Sequence, residues 1–246
     1  MIVSDVDGTI LGDDKALDEF SNWLAPRRGQ FRLVYNSGRF PDSIRKSIKR
    51  HRLPEPDALI GGVGTQIEIF TTGAPLTGWP APTDSWDSQT IRNLLAHEPR
   101  LKLQPEQFLS DTKVSYFAHD ARTEELAAWQ QKLKAAGLTV RTIYSSHRDL
   151  DFLPAGCDKG SAAAFLAAAW GFPAHRVLAC GDTANDCALF TQGFRGIVVG
   201  NALDELKALD APSIYHATAG FAAGVQEGIC YWQMQTERKL PAVKSA

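Results

Sequence analysis

Five times along this chain a short apolar run stops at small or polar residues and gives way to a segment with helical apolar spacing or a turn that starts one. The runs are Met1–Ser4, Phe31–Tyr35, Asp57–Ile60, Arg176–Cys180 and Gly196–Val199. Strands that alternate with helices imply a parallel sheet joined by right-handed crossovers. The intervening helices are expected over Lys15–Leu24, Pro41–His51, Gly160–Trp170, Asp186–Gln192 and Ala202–Leu209, with Gln66–Phe70 alternating as an edge hairpin would. Pro41 suits the first turn of its helix, where its missing amide proton costs nothing.

The expected fold class is therefore α/β, a doubly wound Rossmann-like parallel sheet. In such a sheet ligands bind outside the carboxyl ends of the strands, so the residues directly after each run carry most of the functional information. The first run ends in Asp5-Val6-Asp7-Gly8-Thr9, which sends two carboxylates out of a buried strand together. The second ends in Asn36-Ser37-Gly38-Arg39, and the fourth in Gly181-Asp182-Thr183-Ala184-Asn185-Asp186. Lys159 opens the alanine-rich helix. Taken singly, each of these is a turn, a cap or a solvated helix start. Their occurrence together, each at a strand or helix end, is what carries weight.

Between Thr71 and Asp87 the composition shifts to Pro, Gly, Thr and Trp, with Pro75, Pro80 and Pro82 breaking any regular element. Beyond it lie a helix over Ser88–His97, a strand over Val114–Ala118, a helix over Glu124–Ala136 stopped by Gly137, and alternating stretches at Thr139–Tyr144 and Leu150–Leu153. The expected organisation is a core over 1–76, an inserted α+β cap over 77–153 and a second core part over 154–246. After about residue 233 the mixed charges and Pro241 show no pattern, and a frayed tail is expected.

Composition excludes several function classes. With 246 residues, 44% of them hydrophobic, and a net charge of -2, the chain is an ordinary globular protein with no basic field for nucleic acid. No apolar run approaches the roughly 20 residues that span a bilayer, and the first residues lack a charged leader, so a cytoplasmic protein without membrane partners is expected, working as a monomer. Cys157, Cys180, Cys187 and Cys230 show no CxxC spacing and read as reduced structural thiols. The six histidines form no ligand pair at helical spacing, which argues against zinc.

In order, spacing and strand context, the four polar signals resemble the haloacid dehalogenase-like phosphatases. Within them, Tyr35–Arg39, Ile60–Thr65, Tyr144–Pro154, Asp158–Gly160 and Arg195–Ala202 resemble the sucrose-phosphate and mannosylfructose-phosphate phosphatase group, over nearly the whole chain up to Trp232. Asn36-Ser37 and Gly61-Gly62 look closer to the mannosylfructose branch.

The resemblance implies an Mg2+-dependent sugar phosphatase that hydrolyses a disaccharide monophosphate through an aspartyl-phosphate. It makes Asp5 the nucleophile and Asp7 the general acid and base. Ser37 and Lys159 bind the phosphoryl group, and Asp5, the carbonyl of Asp7, Asp182 and Asp186 serve the metal, with Thr9, Gly38 and Asn185 in support. The chemistry agrees: a carboxylate attacks a dianionic ester only if the repulsion is cancelled, and Mg2+ with a lysine can do so. Sugar recognition is expected from Arg39, Gly64 and Thr65 on the core rim and from Lys113, Tyr116, Ser145, Arg148 and Asp149 on the cap. The second acidic doublet, Asp149-Leu150-Asp151, is read as strand edge or cap contact rather than catalysis. The expected partners are a small sugar phosphate and, in association, a cognate sugar-phosphate synthase. A broader sugar-phosphate phosphatase, a phosphomutase and a non-catalytic sugar-phosphate-binding module of a synthase stay open as alternatives.

Overall fold

The computed structural model describes residues 1–80 and 85–237; Pro82 and the chain end from residue 238 onward lie outside the described residues. Strand β1 (Ile2–Ser4) is buried on both faces. Ile2 belongs to one apolar core and Val3 to a second on the opposite side of the sheet. A strand with no wet face needs cover above and below, which is why it lies at the centre. Helix α1 (Asp14–Leu24) covers one side with Leu17, Phe20 and Leu24, and its start is fixed by Asp13, whose carboxylate accepts the Ala16 amide at 3.0 Å. The chain continues through β2 (Leu33–Asn36), α2 (Pro41–His51), β3 (Ala58–Gly61) and β4 (Gln66–Ile69). β2 and β3 extend the sheet in parallel, and β4 turns back antiparallel at its edge.

A separate antiparallel sheet follows. Its strands are β5 (Lys102–Leu103), β6 (Val114–Phe117), β7 (Val140–Ser145) and β8 (Asp149–Pro154), in the order β5-β6-β8-β7, and the helices α3 (Ser88–Leu95) and α4 (Thr123–Ala135) accompany it. Ile91, Leu95, Trp129 and Leu133 from the two helices pack on Val114, Tyr116, Leu150 and Phe152 to close one face. The other face carries Lys113, Ser115 and Phe117 and looks toward the core.

The core resumes with α5 (Lys159–Ala169), β9 (Leu178–Gly181), a 3-10 coil over Ala184–Thr191, β10 (Arg195–Val198), α6 (Asp204–Lys207), β11 (Ile214–His216) and α7 (Phe221–Glu237). The seven strands lie in the order β11-β10-β9-β1-β2-β3-β4. From β1 the chain first builds outward through β2, and it later returns to the other side of β1 through β9, so the topological switch lies between them. That is the expected place for a ligand crevice.

Two expectations need correction. The α-helix expected over Asp186–Gln192 is a 3-10 coil, because the Asp186 carboxylate is drawn back onto the amides of Asp182 and Thr183 at 3.0 and 3.2 Å. Residues 233–237, expected as part of a patternless tail, are helical in α7. Ala222, Val225, Ile229 and Trp232 form its buried stripe, and Arg195 donates to the Thr236 hydroxyl at 2.7 Å. Among the described residues no helix is long and apolar enough to cross a membrane.

Gly64 shows how tightly the pieces meet. Its φ is +93°, and a Cβ there would lie 2.1 Å from the carbonyl oxygen of Asp158 and 2.8 Å from the amide nitrogen of Lys159. Gly64→Ala combines a strained backbone with a clash against the start of α5. Its urea midpoint should correspond to a loss of about 2 kcal/mol or more; an unchanged midpoint would contradict the packing described.

Candidate active site

The site begins with a lysine forced inside. Lys159 is the first residue of α5, held there by the Asp158 cap, whose carboxylate accepts the Ser161 amide at 2.7 Å, and by Asn36, which donates to the Lys159 carbonyl at 2.9 Å. Its side chain has no solvent exposure. The ammonium donates to Asp5 at 2.6 Å, Asp186 at 2.7 Å and the side-chain oxygen of Asn185 at 2.8 Å, so each of its three protons has an acceptor. Burial alone would push the Lys159 pKa down; Asp186 and Asp5 outweigh it and hold the lysine firmly charged.

Three carboxylates crowd this one ammonium. Suitable oxygens of Asp5, Asp182 and Asp186 all lie within 4.8 Å of one another, and all three residues are buried. Burial raises the Asp5 pKa well above the usual carboxylate range, Lys159 pulling it down and Asp186 and Asp182 pushing it further up. Asp182 is raised to about 6, first by burial and then by Asp186, against the Thr9 hydroxyl that donates to it at 2.8 Å. Ionised together, three acids against one ammonium would leave two negative charges uncompensated, which is why protons are held so tightly here. A divalent cation with oxygen-ligand preference matches both the charge and the donor set.

The loops fit closely around the cluster. The Asp5 amide donates to the Cys180 carbonyl at 3.0 Å, which pins the start of the acidic loop to β9. Gly8 has φ +86°, and a Cβ there would lie 2.2 Å from an Asp182 carboxylate oxygen, so only glycine lets the first acidic loop approach the second. Asn201 donates to the Gly8 carbonyl at 2.8 Å, a support the sequence did not point to. Asn185 is a lysine acceptor, and the start of the 3-10 coil is instead capped by Thr183 with Asp186.

Above the cluster lies a crevice of about 400 Å³ between the two sheets. The core supplies Asp5, Asp7, Ser37, Gly38, Arg39, Thr183 and Asn185; the cap sheet and its loops supply Gln104, Phe108, Lys113, Phe117, Ser145, Ser146, Arg148, Asp149 and Asp151. A wider groove of about 1340 Å³ lies at the amino ends of β2, β3 and β9, lined by Arg28, Arg52 and Arg176 among others. Size favours that groove, but the acidic cluster belongs to the smaller crevice, and chemistry decides between them.

Of the expected sugar-facing residues, Arg39, Lys113, Ser145, Arg148 and Asp149 line the crevice. Three others do not. Tyr116 is 3% exposed and packs edge-on against Phe152 in the cap core. Successive strand side chains point to opposite faces, so with Lys113 and Ser115 toward the crevice, Tyr116 must turn away. Thr65 is buried with its hydroxyl on the Gly62 carbonyl, and the Gly64 carbonyl is taken by the indole of Trp79 at 2.9 Å. Both serve the turn after β3.

Asp149 and Asp151 face the crevice from β8, an interior strand of the cap sheet, opposite Phe117 and Ser115. Asp151 pairs with the buried Lys113 ammonium at 2.9 Å and accepts the Ser115 hydroxyl, while Asp149 accepts from Gln104 at 3.0 Å and from Arg148 at 2.8 Å. Asp151, Gln104, Phe108 and Phe117 were not among the expected site residues. The alternation of β6 and β8 is the signal that could have found Asp151 and Phe117.

The profile of the sucrose-6F-phosphate phosphohydrolase family matches residues 1–233. The chain belongs to this family. It is 35% identical to the mannosylfructose-phosphate phosphatase of Agrobacterium fabrum over 94% of this chain and 96% of that one. It is 34% identical to sucrose-phosphatase 1 of Nicotiana tabacum over 95% of this chain, which spans 59% of that longer enzyme. The crystal structure of the Synechocystis sucrose-phosphatase in complex with sucrose and phosphate superimposes with a TM-score of 0.88 at 30% identity, covering 94% of this chain and 97% of that one. Family membership makes this protein a phosphoric monoester hydrolase with the haloacid dehalogenase-like fold.

The raised Asp182 pKa has a measurable consequence. The folded protein binds this proton more tightly than the unfolded chain, so the associated stability is full below pH 3.8 and is lost as the pH rises through about 6. In chelator-treated protein, Asp182→Asn should flatten this part of the stability profile and raise stability at neutral pH by about 2 kcal/mol. Melting curves across the range check it, and an unchanged slope would count against the crowding of acids described.

Proposed function

We propose that this protein releases a free disaccharide from its monophosphate, with Asp5 as nucleophile and Asp7 as general acid and base. The observation that carries this reading is the buried Asp5–Lys159–Asp186 contact at the floor of a crevice whose roof is lined with polar groups. Asp5 stands at the carboxyl end of the central strand, with one carboxylate oxygen on Lys159 and the residue itself lining the crevice. It attacks phosphorus and displaces the sugar oxygen, forming an aspartyl-phosphate. Protonated Asp7 gives its proton to the departing alkoxide. The resulting Asp7 carboxylate then takes a proton from the water that attacks phosphorus, freeing Asp5 and inorganic phosphate.

Ser37 and Gly38, at the end of β2, position the phosphoryl oxygens, and the Lys159 ammonium behind Asp5 supplies the positive charge that draws them in. The donor set fits Mg2+, which Asp5, Asp182 and the Asp7 carbonyl would hold, with Asp186 tying Lys159 and the second loop in place. When bound, the ion would offset the negative charge of the ionised acids and polarise the ester. Thr9 orients Asp182 through its hydroxyl.

Residues 77–153 act as the cap. The crevice volume of about 400 Å³ suits a disaccharide phosphate, with phosphate on the floor and hydroxyls against Lys113, Ser145, Arg148 and Asp149. Closure of the cap would shut out bulk water and align the ester. The substrates named for the relatives set the class, and the paired glycines Gly61 and Gly62 lean toward the mannosylfructose branch.

The test is a panel of sucrose-6-phosphate, mannosylfructose-phosphate and hexose phosphates with Mg2+, scored for free phosphate. One of the two disaccharide phosphates should be preferred by at least about tenfold in kcat/KM, the scale a few lost hydroxyl contacts would set; no turnover of either would remove this substrate class. Asp5→Asn should remove turnover while leaving the folded protein intact, since it is nearly isosteric and lacks the attacking charge. A wild-type rate in that variant would exclude Asp5 as nucleophile.

A further inference from the structure

Arg39 extends from the turn after β2, and its guanidinium bridges two very different partners. One nitrogen donates to the Ser47 hydroxyl at 2.7 Å, and another pairs with the Asp7 carboxylate. Ser47 lies on the buried face of α2 beside Ile44 and Ile48 and is 5% exposed, whereas Asp7 and Arg39 are both near two-fifths exposed. The arrangement therefore has an anchored end and a free end.

A guanidinium is a planar fork whose donor directions are fixed relative to one another. With one prong held by a buried hydroxyl on α2, the other prong is aimed. What it is aimed at is the side chain of Asp7, which has no other hydrogen bond or ion pair among the described residues. An exposed ion pair alone would leave both side chains free to sample other rotamers. Nor is the hydroxyl there for the helix: alanine at position 47 would suit α2 at least as well.

We propose that Ser47 is a positioning residue for the reaction. Through Arg39 it sets where the Asp7 carboxyl stands over the crevice floor, and so how well that group meets the departing sugar oxygen. This rests on the reading of Asp7 as the acid, and it gives Arg39 a role distinct from sugar contact. Lysine at position 39 keeps the charge but cannot hold Ser47 and Asp7 at once with fixed geometry.

The test compares two esters with different needs for the acid. A sugar alkoxide is a poor leaving group and needs a proton, whereas p-nitrophenolate leaves as the anion. The readout is kcat/KM, which covers only the steps up to departure of the alcohol and so excludes hydrolysis of the phospho-enzyme. A general acid contributes roughly 10²–10⁴-fold, so partial misplacement by Ser47→Ala should cost about tenfold on the preferred disaccharide phosphate and less than about twofold on p-nitrophenyl phosphate. Arg39→Lys should show the same selective loss, and Ser47→Thr, which restores the hydroxyl, should recover most of it. Equal losses on both esters, or no loss on either, would overturn the proposal. Asp7→Asn measured alongside separates the two levels. If it harms both esters alike, the acid role of Asp7 falls and the positioning role with it; if it is selective while Ser47→Ala and Arg39→Lys are not, only the positioning role falls.

Discussion

The buried Lys159 ammonium is the group on which the rest of this molecule depends. Removing a charge from water is costly unless its partners replace every lost hydrogen bond, and Lys159 meets that condition with three acceptors from two loops. The surrounding fold is shaped by the need to deliver it. α5 must start directly under the strand ends, so Asp158 caps it, Asn36 holds its first carbonyl and Gly64 lets the turn after β3 come within contact of the Asp158 backbone. The acids that satisfy the lysine are too many for it, and this excess is the chemical opportunity. A site with two surplus negative charges and buried oxygen donors is poised for a divalent cation, and the sheet centre keeps it rigid.

The two sheets divide the work by chemistry. The core ends carry acids, an ammonium and small loop residues, which suit phosphate and metal. The cap face carries Lys113, Ser115 and Asp151 in a buried, mutually hydrogen-bonded group, next to Gln104, Asp149 and Arg148. A buried ion pair of this kind is a weak source of stability, because desolvation consumes most of the Coulomb gain. It does hold polar groups in one arrangement, which is what discrimination among sugar hydroxyls requires. The helices α3 and α4 stiffen that face from behind.

How far the sequence revealed this can be traced residue by residue. Each strand end was legible because an apolar run stopping at Asp, Ser or Gly is a local signal, and the α/β class follows from the order of such signals. Asp5 after β1, Asp182 and Asp186 after β9, and Lys159 at the start of α5 are brought together as those positions required. Tyr116 was misplaced because its type was weighed without the parity of β6, which had already committed Lys113 to the other face. Gly64 and Thr65 looked like rim residues but are consumed by packing, which depends on the path of α5 and is invisible locally. α7 was overlooked although Ala222, Val225, Ile229 and Trp232 repeat with helical spacing, its buried stripe being diluted by Gly224 and Gly228. Ser47 carried no local signal at all, since a serine on a helix acquires meaning only through what Arg39 reaches.

The central claim is that Asp5, held in this charge-balanced cluster, takes the phosphoryl group covalently. Borohydride reduction of enzyme quenched during turnover, followed by peptide mass analysis, tests it most directly, because an acyl phosphate is reduced to the alcohol whereas a free carboxylate is untouched. Conversion of residue 5 to homoserine, dependent on substrate, is the expected result. Reduction at another carboxylate, or none during confirmed turnover with the intermediate shown to accumulate, would contradict the account.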